Sequence, residues 1–120
     1  MSPELRRIIA AEAHRRATGH CPVLLHALGT GESFPMRCTA DGFTDAISGL
    51  VVCAASDGTL LIGTATRIVL TFDDAVLFRG QSLESGERFT GRAGGGASVT
   101  LYGDGGDYFQ YAIIVDQAAA

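Results

Sequence analysis

Around Gly19 the hydrophobic period of the chain changes from that of a helix to that of strands, and it does not change back. Upstream, Ser2 suits an N-cap, Pro3 the first helical position and Glu4 the positive end of the helix dipole. Leu5, Ile8, Ile9 and Ala13 recur at helical spacing as a narrow apolar stripe. Arg15 and Arg16 fall in the last turn, where cations suit the exposed carbonyls, and Gly19 is a terminator. The pattern predicts one helix over residues 3–17, filling an N-terminal segment 1–18.

Beyond Gly19, short apolar segments alternate with turn signals. Strands are expected at Pro22–Leu28, Phe34–Thr39, Leu50–Ala55, Arg67–Phe72, Ala75–Arg79, Val99–Tyr102 and Tyr108–Val115. Gly29-Thr30-Gly31, Asp41-Gly42, Ser56-Asp57-Gly58, Asp73-Asp74 and the run Gly103–Asp107 mark the turns between them. Ile68, Leu70 and Phe72 share one face, and with Ile114 they are the expected core. Residues 84–98 carry five glycines and few large apolar side chains, which predicts a long flexible loop. Six or seven short strands without βαβ alternation predict a mainly β fold. The expected form is a small antiparallel β-barrel over residues 20–117 behind the helix, in a single domain 1–120.

Composition narrows the function classes. A 120-residue chain with 47% hydrophobic and 18% charged residues can bury one ordinary core. A net charge of −4 disfavours a nucleic-acid binder that works by neutralising phosphates. Cys21, Cys38 and Cys53 are odd in number and widely spaced, so three free thiols in or near the core are expected. The early apolar run Ile8–Ala11 ends at Glu12, and no stretch approaches the roughly 20 apolar residues of a membrane span. The expectation is a cytoplasmic protein that engages neither membrane nor nucleic acid.

No constellation points to catalysis. His14, His20 and His26 lie six residues apart, which fits neither one helix face nor a zinc pattern, so surface or edge positions are expected. Ser48 lacks a nucleophile-elbow context. Asp73-Asp74, Glu84 and Glu87 read as solvated turn carboxylates. The glycine run 91–96 lacks the Gly-Lys-Ser/Thr ending and the following helix of a phosphate loop. Asp104 and Asp107 are too few for a calcium cage. No enzyme, metal or cofactor is expected.

One family resemblance runs through the chain. The segment RRATGHCPVLL, Arg15–Leu25, resembles the opening of PilZ domains, where an Arg-Arg-x-x-x-Arg motif runs into a Pro-Val strand. GLVV at Gly49–Val52 resembles the strand after the family's Asp/Asn-x-Ser-x-x-Gly motif. LIGTATRIVLTF, AVLFRGQ and YFQYAIIVDQ are similar to later strands, in order, so the resemblance spans roughly residues 15–117. It implies a six-stranded barrel of the kind found in bacterial signalling, in which arginines grip the phosphates and guanine edges of cyclic di-GMP.

The motif departs from the family at identifiable points. Arg16 matches the first arginine, but His20 stands where the second belongs, and neutral imidazole does not replace a guanidinium fork. Alignment on Gly49 puts Thr44 and Ala46 at the acidic and serine positions; Asp45 and Ser48 supply those residue types at another separation. The ligand-binding candidates are therefore Arg15, Arg16, His20, Asp45, Ser48 and Gly49. The expected function is a regulatory or adaptor module with weak or no binding of cyclic di-GMP. The alternative is an unrelated barrel acting through protein association or a small apolar ligand. Candidate partners are cyclic di-GMP, another protein, or a second copy of the chain.

Overall fold

The computed structural model describes residues 1–93 and 96–115. One helix, α1 (Pro3–Thr18), precedes ten strands: β1 (Pro22–Ala27), β2 (Ser33–Cys38), β3 (Gly42–Asp45), β4 (Val51–Ala54), β5 (Thr59–Ile62), β6 (Thr66–Phe72), β7 (Leu77–Ser82), β8 (Arg88–Ala93), β9 (Ser98–Gly103) and β10 (Tyr108–Val115). Each strand pairs antiparallel with its neighbours in sequence, and β1 pairs with β10, so the sheet closes into an up-and-down barrel. Closure leaves no strand edge unpaired.

The helix forms for local reasons. The Ser2 side chain accepts from the Leu5 amide at 3.1 Å, and the Gly19 amide donates to the Arg15 carbonyl at 2.8 Å. Gly19 has φ +75°, a left-handed cap that costs glycine little. The expected narrow stripe is a correction: Arg7, Ile8, Ile9, Ala10, Ala11, Glu12, Ala13 and His14 are all buried, whichever way they face. Among the described residues the helix packs against barrel strands and the ends of their turns, so α1 runs through the lumen. It lies nearest β8, β9, β10 and β1 and reaches the other wall through arginine side chains.

The lumen is lined by alternate residues of the strands. Leu60, Ile62, Ile68, Leu70, Phe78, Phe89, Val99, Leu101, Tyr111 and Ile113 point inward, while Arg67, Arg79, Gln81, Arg88, Thr90 and Arg92 take outward positions on β6–β8. Two Phe–Gly cross-strand pairs, Phe78 with Gly91 and Phe89 with Gly80, lay their rings over the facing glycines. Glycine at these points lets a ring cover the sheet where a Cβ would collide.

Several expectations need correction. There are ten strands rather than six or seven, because β3, β5 and β8 are short or glycine-bearing. The expected loop 84–98 contains a strand, β8, which pairs with both β7 and β9. Gly94 and Gly95, and the barrel end assigned to residues 116–117, lie outside the described residues. Ile114 is 49% exposed and its neighbour Ile113 takes the core position, while Phe72 packs at the core's margin. Three free thiols are not found: Cys21 and Cys38 are bridged, with Cα atoms 6.1 Å apart, and Cys53 is free. The bridge ties the start of β1 to the end of β2. It also removes the thiol-based ground for a cytoplasmic location, since disulfides persist where thiols are oxidised. No described helix is long and apolar enough to cross a membrane.

Candidate functional site

The six residues singled out by the sequence do not meet. Arg15 and Arg16 sit at the C-terminal end of α1, where they neutralise Glu12, which is 0% exposed. Arg15 Nε and Nη2 donate to the two Glu12 oxygens at 2.8 and 2.9 Å, and Arg16 Nε donates to Glu12 Oε2 at 2.7 Å. Arg16 also donates through Nη1 to the Leu70 carbonyl at 3.0 Å and through Nη2 to the Gly58 carbonyl at 2.7 Å. The hydrogen bond to Glu12 raises the Arg15 pKa above its ordinary value. A guanidinium committed to a buried carboxylate and two carbonyls has no free fork for a phosphate.

Asp45, Ser48 and Gly49 lie at the other end. Asp45 is fully buried, accepts from Arg7 Nε at 2.7 Å, and through Oδ1 caps the Ile47 amide at 3.1 Å. Ser48 Oγ accepts from the Leu50 amide at 3.2 Å, and Gly49, at φ +77°, closes the β3–β4 turn. Arg7 and Arg16 are nine residues apart, so about 13 Å of helix separates the two groups. His20 is exposed beside the β1 end.

The histidine expectation holds only in part. His14 is buried, 3% exposed, and its Nε2 lies 3.2 Å from the Gly96 carbonyl while Nδ1 has no hydrogen-bond partner among the described residues. Burial holds its pKa below the ordinary value, partly opposed by the Gly96 carbonyl. It lines a cleft of about 430 Å³ with Thr18, His20, Ala97 and the end of β10.

A better-built cleft, of about 390 Å³, opens at the mouth around the N-terminal end of α1. Its walls come from α1 (Arg6, Arg7), the end of β1 and the loop after it (Ala27–Thr30, Glu32), β2 (Phe34) and the start of β10 (Tyr108–Tyr111). Arg6 stacks on Phe109, its guanidinium carbon 4.0 Å from the ring centroid, and Arg7 stacks on Phe34 at 4.3 Å. Such cation–π contacts orient a guanidinium without neutralising it.

The two arginines differ in charge balance. Arg7 is cancelled by Asp45. Arg6 donates through Nη1 to the Met1 carbonyl at 2.7 Å, its Nε is buried without a partner, and no carboxylate pairs with it among the described residues. The nearby Tyr111 phenol is pushed up in pKa by burial, an effect that Arg6 opposes. Sequence reasoning missed this cleft because Arg6 and Arg7 look like solvated helix residues until Phe34 and Phe109 close on them. The adjacent Arg-Arg pair near an N-cap was the only signal.

A larger groove of about 520 Å³ crosses the outer face of β6–β9, between Arg79, Arg88 and Tyr102. It is shallow and solvent-exposed, and its Arg79 is already paired with Asp73 at 2.8 Å. The mouth cleft is therefore the better candidate. No group of three or more potential metal ligands occurs among the described residues. In comparisons with known proteins, no family model matches the chain, and no curated protein or solved structure is significantly similar to it.

Proposed function

We propose that this small barrel is a non-enzymatic regulatory or adaptor module that binds a small ligand in the cleft at the N-terminal end of α1. One observation carries the reading: a partly enclosed cleft of about 390 Å³ in which Arg6 is held on Phe109 with no carboxylate partner among the described residues. Sites of this size, mostly apolar with a few placed polar groups, are the usual form of small-molecule pockets. The polar groups here are guanidiniums and a phenol kept protonated by burial, which hold a ligand at neutral pH rather than relay its protons. Binding beside α1 would bear on an element that touches both walls of the lumen, which suits a regulatory role.

The PilZ resemblance belongs to this proposal as the source of a competing ligand, cyclic di-GMP. The engagement of Arg16 with Glu12, Leu70 and Gly58 supports weak or no binding of that nucleotide.

Two titrations followed by amide chemical shifts test the proposal. A fragment set of aromatic acids, alcohols and amines is expected to shift residues 27–34 and 108–111. Cyclic di-GMP is expected to shift nothing at micromolar concentration, in the wild type or in His20→Arg. Fragment shifts centred on Thr18, His20 and Ile114 would move the site to the opposite mouth. Submicromolar cyclic di-GMP binding, strengthened by His20→Arg, would restore the sequence-based site.

A further inference from the structure

The charge of the mouth cleft specifies the chemistry of its occupant. Arg7 is neutralised by Asp45, and the N-terminal ammonium by Glu87 at 2.8 Å. Among the described residues Arg6 is the cation left over in the cleft: its guanidinium has a backbone carbonyl, an aromatic face and a phenol beside it, and an Nε–H without an acceptor. A part-buried guanidinium held only by neutral groups has lost hydration without gaining a counter-ion, so an anion entering the cleft is favoured. Arg6 is one positive charge inside the cleft, and with Glu32 counted the lining is neutral overall. Glu32 stands at the rim and adds a negative charge, which disfavours a dianion. Among the other walls, Ala27, Leu28, Phe34 and Tyr108 are flat or apolar, while Thr30 and Gln110 are polar and uncharged.

We propose that the cleft takes a small carboxylic acid with a flat apolar body, the carboxylate on Arg6 and the body among Leu28, Phe34 and Tyr108. This rests on the mouth cleft being the binding site, and it adds the charge and shape of the ligand. A carboxylate matches the planar donor fork of arginine and brings a single negative charge.

Four probes with one aromatic body isolate the charge: 2-naphthoate, neutral 2-naphthalenemethanol, cationic 2-naphthylmethylamine, and 2-naphthyl phosphate at a pH where it is dianionic. Each is titrated into wild type, Arg6→Lys and Arg6→Met, with affinity and amide shifts recorded. The expected result is that naphthoate binds tightest and shifts the cleft residues. Arg6→Met should weaken naphthoate roughly ten- to a hundred-fold, the value of a charge-assisted hydrogen bond, while leaving the alcohol unchanged. Arg6→Lys should fall between, and it keeps the comparison available if the Met variant does not fold.

Naphthyl phosphate binding tighter than naphthoate would overturn the carboxylate assignment in favour of a phosphate. The alcohol or amine matching naphthoate in the cleft, or naphthoate indifferent to both variants, would overturn the ligand class and leave the cleft standing. No probe shifting the cleft residues would overturn both.

Discussion

Arg7 Nε donates to Asp45 Oδ2 at 2.7 Å inside the barrel, joining the helix to the β3–β4 turn through a pair with almost no solvent contact. At the other end Arg15 and Arg16 close on Glu12. A polar helix is thereby held in an apolar lumen by ion pairs made within the fold, one arginine on Asp45 and two on Glu12. Buried pairs contribute little net stability, but a register shift of the helix would separate both sets at once, so they specify its position.

Removing one partner of the buried pair should be far worse than removing both. Arg7→Met leaves Asp45 charged and unpaired, and should cost about 3–5 kcal/mol in urea unfolding. Asp45→Leu combined with Arg7→Met should recover most of that loss. A double variant no more stable than Arg7→Met would show that the pair is not the cause.

Gly91→Ala should destabilise by about 1–3 kcal/mol, the usual cost of overpacking. An added Cβ would collide with Phe78 Cζ and lie 2.6 Å from the Thr100 carbonyl oxygen, and the second is backbone that cannot rotate away. Gly105→Ala, with nothing within 4 Å of its Cβ position, serves as the silent control in the same thermal melts.

Acid should weaken the fold through His14. Its folded pKa is lowered by burial, so the unfolded chain binds the proton more readily. The contribution is fully present above the unfolded pKa of about 6.5 and falls as pH drops below it, until the folded pKa is passed. His20, the nearby histidine, opposes protonation of His14 in the same direction. Replacing His14 with Leu should flatten the decline in melting temperature that sets in below about pH 6.5; an unchanged slope would assign the decline to the carboxylates.

Thiol titration of the denatured, unreduced protein should find one reactive cysteine, Cys53, because Cys21 and Cys38 are bridged. Reduction should release two more and lower stability by about 3 kcal/mol, the loop-closure scale for the 17-residue separation. Three thiols before reduction would show an open pair and restore the argument for a reducing compartment.

How much was legible depended on the range of the forces involved. Ser2, Pro3, Gly19 and the acidic and basic ends of α1 are local signals, and the helix formed within a residue of its expected end. The run Tyr108–Val115 matched its strand as well. In the run Ala112–Val115, however, alternation alone cannot choose between Ile113 and Ile114 for the core. The register with β1, Leu25 opposite Ile113, made that choice. β8 looked like a loop because Gly91 interrupts it, and the Phe78 ring and the Thr100 carbonyl, both from other strands, explain a glycine there.

The chain by itself determined a capped helix, a train of short antiparallel strands, and the spacing that lets Arg15 and Arg16 reach Glu12. These depend on neighbours within four residues or on a two-residue alternation. Tertiary structure alone decided that the barrel closes with ten strands, that the helix is threaded through it, and that Arg16 is consumed internally while Arg6 faces a cleft. Those outcomes depend on which strands meet across the lumen. Burial is what turns two similar arginines into a structural ion and a candidate ligand contact.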